Sequence, residues 1–444
     1  MQDAESERQF VLQAVDERGI RFVQLWFTDV LGYLKAFAIP SEELPEALAE
    51  GASFDGSSID GFARAGEADM IARPVPRTFT SLPWRPEDRG VARMYCDIHT
   101  PAGEAYEGDP RQVLKRVMAR AREMGYTPYV GPEIDFYVFR DAGAPEPLDA
   151  GSYFDLTPLD VGSDFRRRVI TYLEGIGIPV KESHHEAAFS QHGVTLRHAD
   201  PLTIADSIMS FRLVVKEVAR ELDRYATFMP KPIERAAGSG LHLHLSLFEG
   251  ERNAFFDATD EHGLSKIGRS FTAGLLRHAR EITAVTNQWV NSYKRLVPGW
   301  EAPTWVSWGA RNRASLIRVP LAKPGKEASA RIEYRAPDPA CNPYLAIAAI
   351  LAAGLDGVQA ETELPPEAPE RLDAMSDAER SALGVAALPE TLPEALAEMR
   401  GSALVRETLG GHVFEWFLAN KVDEWNEYKA YVTGFELERY LPRL

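Results

Sequence analysis

The sequence predicts a two-part chain in which a small, strand-rich N-terminal unit precedes a larger α/β or α+β domain. Alternating apolar and polar residues indicate short strands in the first hundred positions, and helical and strand-like segments alternate after Asp109. The length of 444 residues is sufficient for two or three domains. We therefore expect one domain over residues 1–105 and a second over residues 106–444.

Apolar periodicity and capping residues predict the individual elements. The first unit is expected to contain a helix over residues 5–18, strands over 20–28 and 33–39 joined by a turn at Leu31-Gly32, a helix over 41–50 with Ser41 as N-cap, and a strand over 91–98. The second is expected to contain a helix from Asp109-Pro110 to Met124, a buried Ala-rich helix over 344–358, a surface excursion over 361–395 and helices over 402–438.

Composition narrows the class of protein. The net charge of -17 argues against a nucleic-acid binder, which needs a basic surface. Two widely separated cysteines, Cys96 and Cys341, indicate neither a disulfide framework nor a zinc knuckle. The polar N-terminus lacks a signal-peptide core, and no apolar run is long enough to cross a membrane. We expect a soluble cytoplasmic enzyme.

One predicted strand, residues 131–139, carries two acids. The two-residue period of a strand puts Glu133 and Asp135 on the same face, with apolar residues on both faces around them. Two neighbouring carboxylates in an interior strand are costly to bury unless a cation lies between them. The alternative is a strand end at which both acids reach water.

A second predicted strand, residues 241–247, has four leucines on one face and His242, His244 and Ser246 on the other. A single histidine there would more often be a satisfied core residue, whereas two on one face favour a ligand or phosphate role. The preceding Gly238 and Gly240 allow a close approach of backbone or ligand.

A third segment, residues 331–335, places Arg331, Glu333 and Arg335 on one face. Arginine forks suit carboxylate and phosphate groups, although a salt-bridged surface strand is the common alternative. Oxygen-rich ligation with a histidine suits Mg²⁺ or Mn²⁺, and surplus arginines beside such a metal indicate polyanion chemistry, such as the binding of ATP phosphates. Because no Gly-rich phosphate loop is present, arginines and metal would hold the nucleotide.

These motifs together resemble the class I glutamine synthetases of bacteria, most closely the actinobacterial second type. The resemblance runs along nearly the whole chain. It rests on Phe54-Asp55-Gly56-Ser57-Ser58, Gly131-Pro132-Glu133-Ile134-Asp135, His184-His185-Glu186, Gly238-Ser239-Gly240-Leu241-His242-Leu243-His244, Asn291-Ser292-Tyr293-Lys294-Arg295 with Glu301-Ala302-Pro303, Asn312-Arg313, Arg331-Ile332-Glu333-Tyr334-Arg335 and Asn342-Pro343-Tyr344.

The resemblance implies an α+β fold. Its first domain would be β-grasp-like, and its second a glutamine synthetase/guanido-kinase-like catalytic domain with a curved antiparallel sheet flanked by helices. It also implies a dodecamer of two stacked hexameric rings, with active sites between neighbouring subunits. The implied reaction is phosphorylation of the γ-carboxylate of L-glutamate by ATP, followed by attack of an amine on the acyl phosphate.

The resemblance also implies roles for individual residues. Ligands of the metal that bridges the ATP phosphates would be Glu133, His242 and Glu333, and ligands of the metal nearer glutamate would be Asp135 and Glu186. Glutamate would be held by Gly238, Arg295 and Arg335, and ATP by His244, Ser246, Arg313 and Arg318. The catalytic residues would be Asp55, which deprotonates the amine, Glu301 on a flap over the glutamate entrance, and Arg313, with Ser58 and Tyr153 lining the amine pocket.

Four positions depart from the family pattern. Gly193 stands where a metal-binding glutamate is usual, Asp135 replaces a glutamate, Ala237 an asparagine and Lys181 an acid. A site short of one carboxylate should bind its metal more weakly, and the missing side chain at Gly193 is expected to open space. Ammonia is the first expected amine, because the residues of the family's ammonium pocket, Asp55, Ser58, Tyr153 and Glu301, are all present. The loss of a carboxylate at Gly193 favours an alkylamine, ethanolamine or polyamine as the second, and a catalytically weak regulatory relative is the third hypothesis.

Overall fold

The computed structural model describes residues 2–57, 59, 61, 69–84, 90–156, 162–310, 312, 314–321, 325–369 and 372–444. Its N-terminal region contains α1 (Gln2–Glu17), β1 (Ile20–Thr28), β2 (Leu34–Pro40), α2 (Leu44–Glu50), β3 (Ala52–Asp55), β4 (Asp69–Pro74), β5 (Thr80–Ser81) and β6 (Gly90–His99). In the described residues these strands form one sheet in the order β2-β1-β6-β4-β3, with β5 against β6. The pair β1 and β6 is parallel, and the others are antiparallel.

The expected helix over residues 41–50 is divided. Ser41–Glu43 form a 3₁₀ turn, in which the Leu44 amide donates to the Ser41 carbonyl, and α2 begins only at Leu44. The prediction of Ser41 as N-cap is therefore wrong, because Ser41 lies inside the tighter turn and its side chain caps neither element.

The second region alternates helices with the strands of a larger sheet. Its elements are α3 (Pro110–Glu123), β7 (Thr127–Phe139), α4 (Ser163–Gly175), β8 (Val180–His185), β9 (Gln191–Leu196), α5 (Pro201–Glu221), β10 (Tyr225–Thr227), β11 (Leu241–Glu249), β12 (Arg252–Asn253), α6 (Lys266–Thr286), α7 (Ser292–Arg295), β13 (Trp308–Gly309), β14 (Ile317–Arg318), β15 (Ile332–Tyr334), α8 (Pro343–Gln359), α9 (Asp377–Ala382), α10 (Leu392–Gly401), α11 (Ala403–Leu409), α12 (Gly411–Ala430) and α13 (Gly434–Tyr440).

Among the described residues the large sheet has the order β13-β14-β15-β11-β7-β9-β8, with β10 against β7 and β12 against β11. All its pairings are antiparallel except β13 with β14, so the expected antiparallel sheet is a mixed sheet at one edge. The expected surface excursion over residues 361–395 is only partly correct. It contains α9 and the start of α10, and Leu364, Leu388 and Leu392 are buried.

The two faces of β11 explain how the fold presents a site. Leu241, Leu243, Leu245 and Leu247 are buried in the main hydrophobic core, as their alternation predicts. Helices α3 and α5 pack against β7, and α8 packs against both helices and α6. This helical layer covers one face of the sheet, and the opposite face carries the polar side chains.

No helix in the described part of the chain combines the length and the apolar character that a membrane crossing requires.

Candidate metal and phosphate site

Strand register brings the polar motifs together on the central strands. His242 on β11 lies opposite Glu133 on β7, and His244 lies opposite Glu333 on β15. On the other side of β7, Asp135 lies opposite Gly193 of β9. Directly opposed side chains on one face are separated by about 5 Å, so residues distant in sequence converge without long loops.

The first cluster consists of Glu133, His242, His244 and Glu333. Ligand-capable atoms of Glu133, His244 and Glu333 all lie within 4.8 Å of one another. His242 Nδ1 lies 3.9 Å from Glu133 Oε2 and 3.6 Å from Glu333 Oε1. Glu133 and Glu333 were expected to share one metal with His242. Both His242 and His244 lie next to these two carboxylates.

The pKa values in this cluster favour the protonation states that bind a cation. Burial opposes ionisation of Glu133, yet hydrogen bonding and charge from His242 hold its pKa at about 2. Burial lowers the pKa of His244 to about 4 and also lowers the pKa of His242. Near neutral pH the carboxylate is charged and both imidazoles are neutral, which is the form that ligates metals.

The second cluster lies across β7 and includes Asp135, His184 and Glu186. Atoms of Glu133, His184 and Glu186 lie within 4.8 Å of one another, and His184 Nε2 is 2.6 Å from Glu186 Oε1. Asp135 accepts a 2.9 Å hydrogen bond from the Gly240 amide. Burial, followed by the charges of Glu186 and Glu133, raises the pKa of Asp135 well above its usual value.

The donor set fits divalent cations such as Mg²⁺ or Mn²⁺. Four carboxylates supply hard oxygen ligands, and the neutral imidazoles of His242 and His244 add nitrogen ligands. The raised pKa of Asp135 indicates that the protein side chains leave the acidic charge here only partly compensated. A cation between Asp135, Glu133 and Glu186 would supply the missing compensation.

Gly193 lies at the centre of the second cluster. A Cβ atom at this position would lie 2.6 Å from Glu186 Oε1 and 3.0 Å from the His184 ring. The expectation of open space at Gly193 is therefore wrong, because His184 and Glu186 already occupy the volume next to the glycine.

Residues of both clusters border one cavity, which has a volume of about 140 Å³. Arginines also line this cavity. Glu333 Oε1 accepts from Arg335 Nη1 and Glu333 Oε2 accepts from Arg318 Nε, both at 2.5 Å. Arg295 donates to the backbone carbonyls of Ala336 and Arg335, and burial lowers its pKa to about 10. These guanidinium groups provide positive charge directly beside the carboxylates.

Three further residues expected at the site, Tyr153, Gly238 and Glu301, also line this cavity. Gly238 permits a close approach, because a Cβ there would lie 2.6 Å from Arg295 Cγ and 2.6 Å from the Pro230 carbonyl. Glu301 has a φ of 59°, a left-handed conformation that is uncommon for glutamate and accompanies functional strain in many sites.

Some expected residues lie elsewhere. Asp55 ends β3 in the N-terminal sheet, where it accepts from the Ser57 amide, and it does not line this cavity. Ser246 lies further along β11, opposite Tyr129. Ser58 and Arg313 lie outside the described residues.

Sequence reasoning assigned no role to His184, Gln191 or Trp300. Gln191 donates a 3.0 Å hydrogen bond to the Gly238 carbonyl, and both Gln191 and Trp300 line the cavity. His184 belongs to the His184-His185-Glu186 motif, but the sequence does not show which way its side chain points. In the structure His184 belongs to β8 and pairs with Gly193.

Comparisons with known proteins agree along the whole chain. A family model described as glutamine synthetase, catalytic domain, matches residues 107–440, and one described as glutamine synthetase, beta-grasp domain, matches residues 19–101. Glutamine synthetases of Mycolicibacterium smegmatis and Mycobacterium tuberculosis strain H37Rv are 52% and 51% identical to the chain, covering 98% of it and 99% of each relative.

Solved structures show the same architecture. A GmaS–ADP complex has a TM-score of 0.88 at 32% identity and covers 97% of this chain and 99% of its own. A Plasmodium falciparum glutamine synthetase has a TM-score of 0.88 and covers 98% of both chains; at 23% identity it supports the fold alone. The expected α+β class with a β-grasp N-terminal domain is confirmed.

Proposed function

The chain belongs to the glutamine synthetase family and is an ATP-dependent glutamate ligase, and we propose that it amidates the γ-carboxylate of L-glutamate with ammonia. The observation that carries the proposal is the position of Glu133, whose carboxylate takes part in both groups of metal-ligating side chains. One acid shared by two sites allows paired divalent cations to act on a single phosphoryl transfer.

We assign the metal ligands by cluster. One cation would be held by Glu133, His242 and Glu333, with the imidazole of His244 next to them. The other would be held by Asp135 and Glu186, with His184 as the additional ligand that compensates for Gly193. Bound there, the metals would neutralise charge that develops on the phosphoryl oxygens.

The arginines would divide between the two substrates. Arg295 and Arg335, with the Gly238 backbone, would bind the carboxylates of glutamate, since guanidinium forks match carboxylate geometry. Arg318 would contact the ATP phosphates, and we retain His244, Ser246 and Arg313 as further ATP contacts.

For amine activation we propose a base that a neighbouring subunit contributes. Because Asp55 lies on the N-terminal sheet and not at this cavity, we propose that it serves the site of a neighbouring subunit, together with Ser58. There it would remove a proton from the ammonium beside Tyr153, while Glu301 closes the entrance to water. A dodecamer of two hexameric rings would create such shared sites.

A second candidate substrate is a primary alkylamine, favoured by an aromatic group beside Glu186. The rings of Tyr153 and Phe154 lie 4.2 Å apart, and Phe154 lies 4.9 Å from the His184 ring. Tyr153 and Phe154 remain 42% and 62% exposed. Exposed aromatic faces near a carboxylate would bind an alkylammonium through cation–π and apolar contacts.

A phosphate-release assay with glutamate, ATP and a panel of amines tests these candidates. We expect ammonia to give the highest kcat/KM, with γ-glutamyl amide formation verified by mass. Methylamine, ethanolamine or putrescine exceeding ammonia would overturn the first candidate in favour of the second. In the second case Phe154→Ala should raise KM for the alkylamine at least about fivefold while leaving that for ammonia unchanged.

The role of Gly193 is tested by adding a carboxylate. We expect Gly193→Glu to tighten Mn²⁺ binding about tenfold, because a third acid joins the second cluster and the flexible end of Glu186 can shift. Gly193→Ala is the matched control, since its Cβ causes the same crowding without the charge. Equal Mn²⁺ dissociation constants for the two variants would contradict the assignment.

A further inference from the structure

A second polar cavity lies between the N-terminal sheet and α5, and the proposed reaction uses none of its lining residues. Its volume is about 420 Å³. Among its lining residues, three arginines and three hydroxyl-bearing residues are placed to bind an anion: Arg18, Arg77, Arg93, Thr203, Ser207 and Ser210. We call it the interdomain cleft.

Arg93 on β6 is the unusual member of the cleft. Its side chain is only 5% exposed, and among the described residues it forms no ion pair with a carboxylate. One terminal nitrogen donates to the Thr78 carbonyl at 2.5 Å and the other approaches Ser210 Oγ at 3.5 Å, while Nε has no hydrogen-bond partner. A buried guanidinium with an unpaired donor is costly unless an anion completes it.

The aromatic surroundings of Arg93 hold it in place without neutralising it. The guanidinium lies 5.2 Å from the Trp26 ring centre and 4.7 Å from that of Tyr95. Cation–π contacts fix its plane but leave its edge free for hydrogen bonds. Burial accordingly lowers the pKa of Arg93, as expected for a cation without a full counter-charge.

Two further arginines flank the same cleft and are exposed. Arg18 follows α1, and its only described side-chain partner is Ser81 Oγ at 3.4 Å. Arg77 lies in the turn after β4 and forms no ion pair within the described parts of the chain. Neither guanidinium is committed to a carboxylate, so both can turn towards a ligand.

Asp206, the one carboxylate among the described lining residues of the cleft, is already engaged. Asp206 Oδ1 accepts hydrogen bonds from Arg111 and from the Tyr344 hydroxyl, the latter at 2.7 Å. Asp206 therefore forms an ion pair with Arg111 and none with Arg93. The three uncommitted guanidinium groups leave the cleft with an excess of positive charge in a protein whose net charge is -17.

Hydroxyl and apolar groups complete the lining. Thr203 and Ser207 belong to the first two turns of the 21-residue helix α5, whose positive dipole end favours anions. Phe79 and Ile178 provide apolar surface for a carbon skeleton. The arrangement is that of a site for a small molecule with two negative charges.

We propose that the interdomain cleft binds a small dianion, a phosphate or a dicarboxylate, with Arg93 as the buried anchor and Arg18 and Arg77 as the outer clamp. The ligand would join the N-terminal sheet to α5, and it would act independently of the proposed ligase site. Binding would therefore stabilise the chain against thermal unfolding.

Isothermal titration of the metal-free, nucleotide-free full chain with inorganic phosphate and, separately, with succinate tests the proposal. We expect saturable binding of at least one probe. The double variant Arg18→Gln/Arg77→Gln should weaken it at least about tenfold, since two charge-assisted hydrogen-bond donors are lost. Arg21→Gln, an exposed arginine outside the cleft, is the matched control and should bind as the parent chain does.

The two probes identify the ligand class. Binding of phosphate alone assigns a phosphate ligand, binding of succinate alone assigns a dicarboxylate, and binding of both assigns a general dianion site. Absence of binding by both probes, or equal affinity in the double variant and the parent chain, would overturn the proposal. Arg93→Lys serves as a further check and should reduce affinity while the protein retains its fold.

Discussion

Glu133→Gln is expected to lower the turnover of the ligase reaction by at least about 100-fold, because a single substitution removes a ligand from both metal clusters. Glutamine has nearly the same size, so the strand and its packing should be retained. The lost quantity is charge: Glu133 is ionised at any working pH, since its pKa lies at about 2. Mn²⁺ binding should weaken for the same reason.

The control for this prediction is Glu249→Gln at the end of β11, an exposed acid with only a surface partner, Arg252. Phosphate release and Mn²⁺ titration by electron paramagnetic resonance should distinguish the two variants, with thermal unfolding as a check on folding. If Glu133→Gln retained both Mn²⁺ affinity and turnover, the assignment of the metal ligands would be wrong.

Strand periodicity alone could predict the face on which Glu133, His242, His244 and Glu333 lie. The period of two is a strict geometric rule, so residues at alternate positions share a face whatever the surrounding fold. It could not predict which strands are neighbours. The facing of His244 and Glu333 depends on the pairing of β11 with β15, which are far apart in sequence.

Gly193 and His184 show the same limit. The sequence revealed a missing carboxylate at Gly193 but not what replaces its volume, because that depends on the register between β8 and β9. A shift of one residue in that register would have turned His184 to the opposite face. The structure thus shows that the volume next to Gly193 is not open but is occupied by His184 and Glu186.

Contacts between the domains were also beyond sequence reasoning. Arg111 on α3 is completely buried and binds Asp97 of β6 at 3.1 Å as well as Asp206 of α5. Nothing in the local pattern of α3 distinguishes this arginine from the exposed ones on the same helix. Its partners become apparent only when the N-terminal sheet and α5 are in place.

Asp206→Ala is therefore expected to destabilise the protein by about 3–5 kcal/mol, the usual cost of leaving one member of a buried ion pair without its partner. Asp206 accepts from Arg111 and Tyr344, and its removal leaves Arg111 with Asp97 alone. Despite burial, which acts in the opposite direction, Asp206 and its neighbours raise the pKa of Arg111 well above its usual value. Arginine stays protonated in proteins even without a partner, so Arg111 cannot lose its proton to escape the penalty.

Asp164→Ala is the matched control, because Asp164 pairs with Arg167 on the surface, where the two side chains are 86% and 79% exposed. Such a pair contributes about 1 kcal/mol or less. Urea unfolding followed by circular dichroism should therefore shift strongly for Asp206→Ala and little for Asp164→Ala. Equal midpoints would mean that Asp97 alone satisfies Arg111. A large shift would show that this charge network, and not only apolar packing, holds the N-terminal sheet against the helices beneath the site.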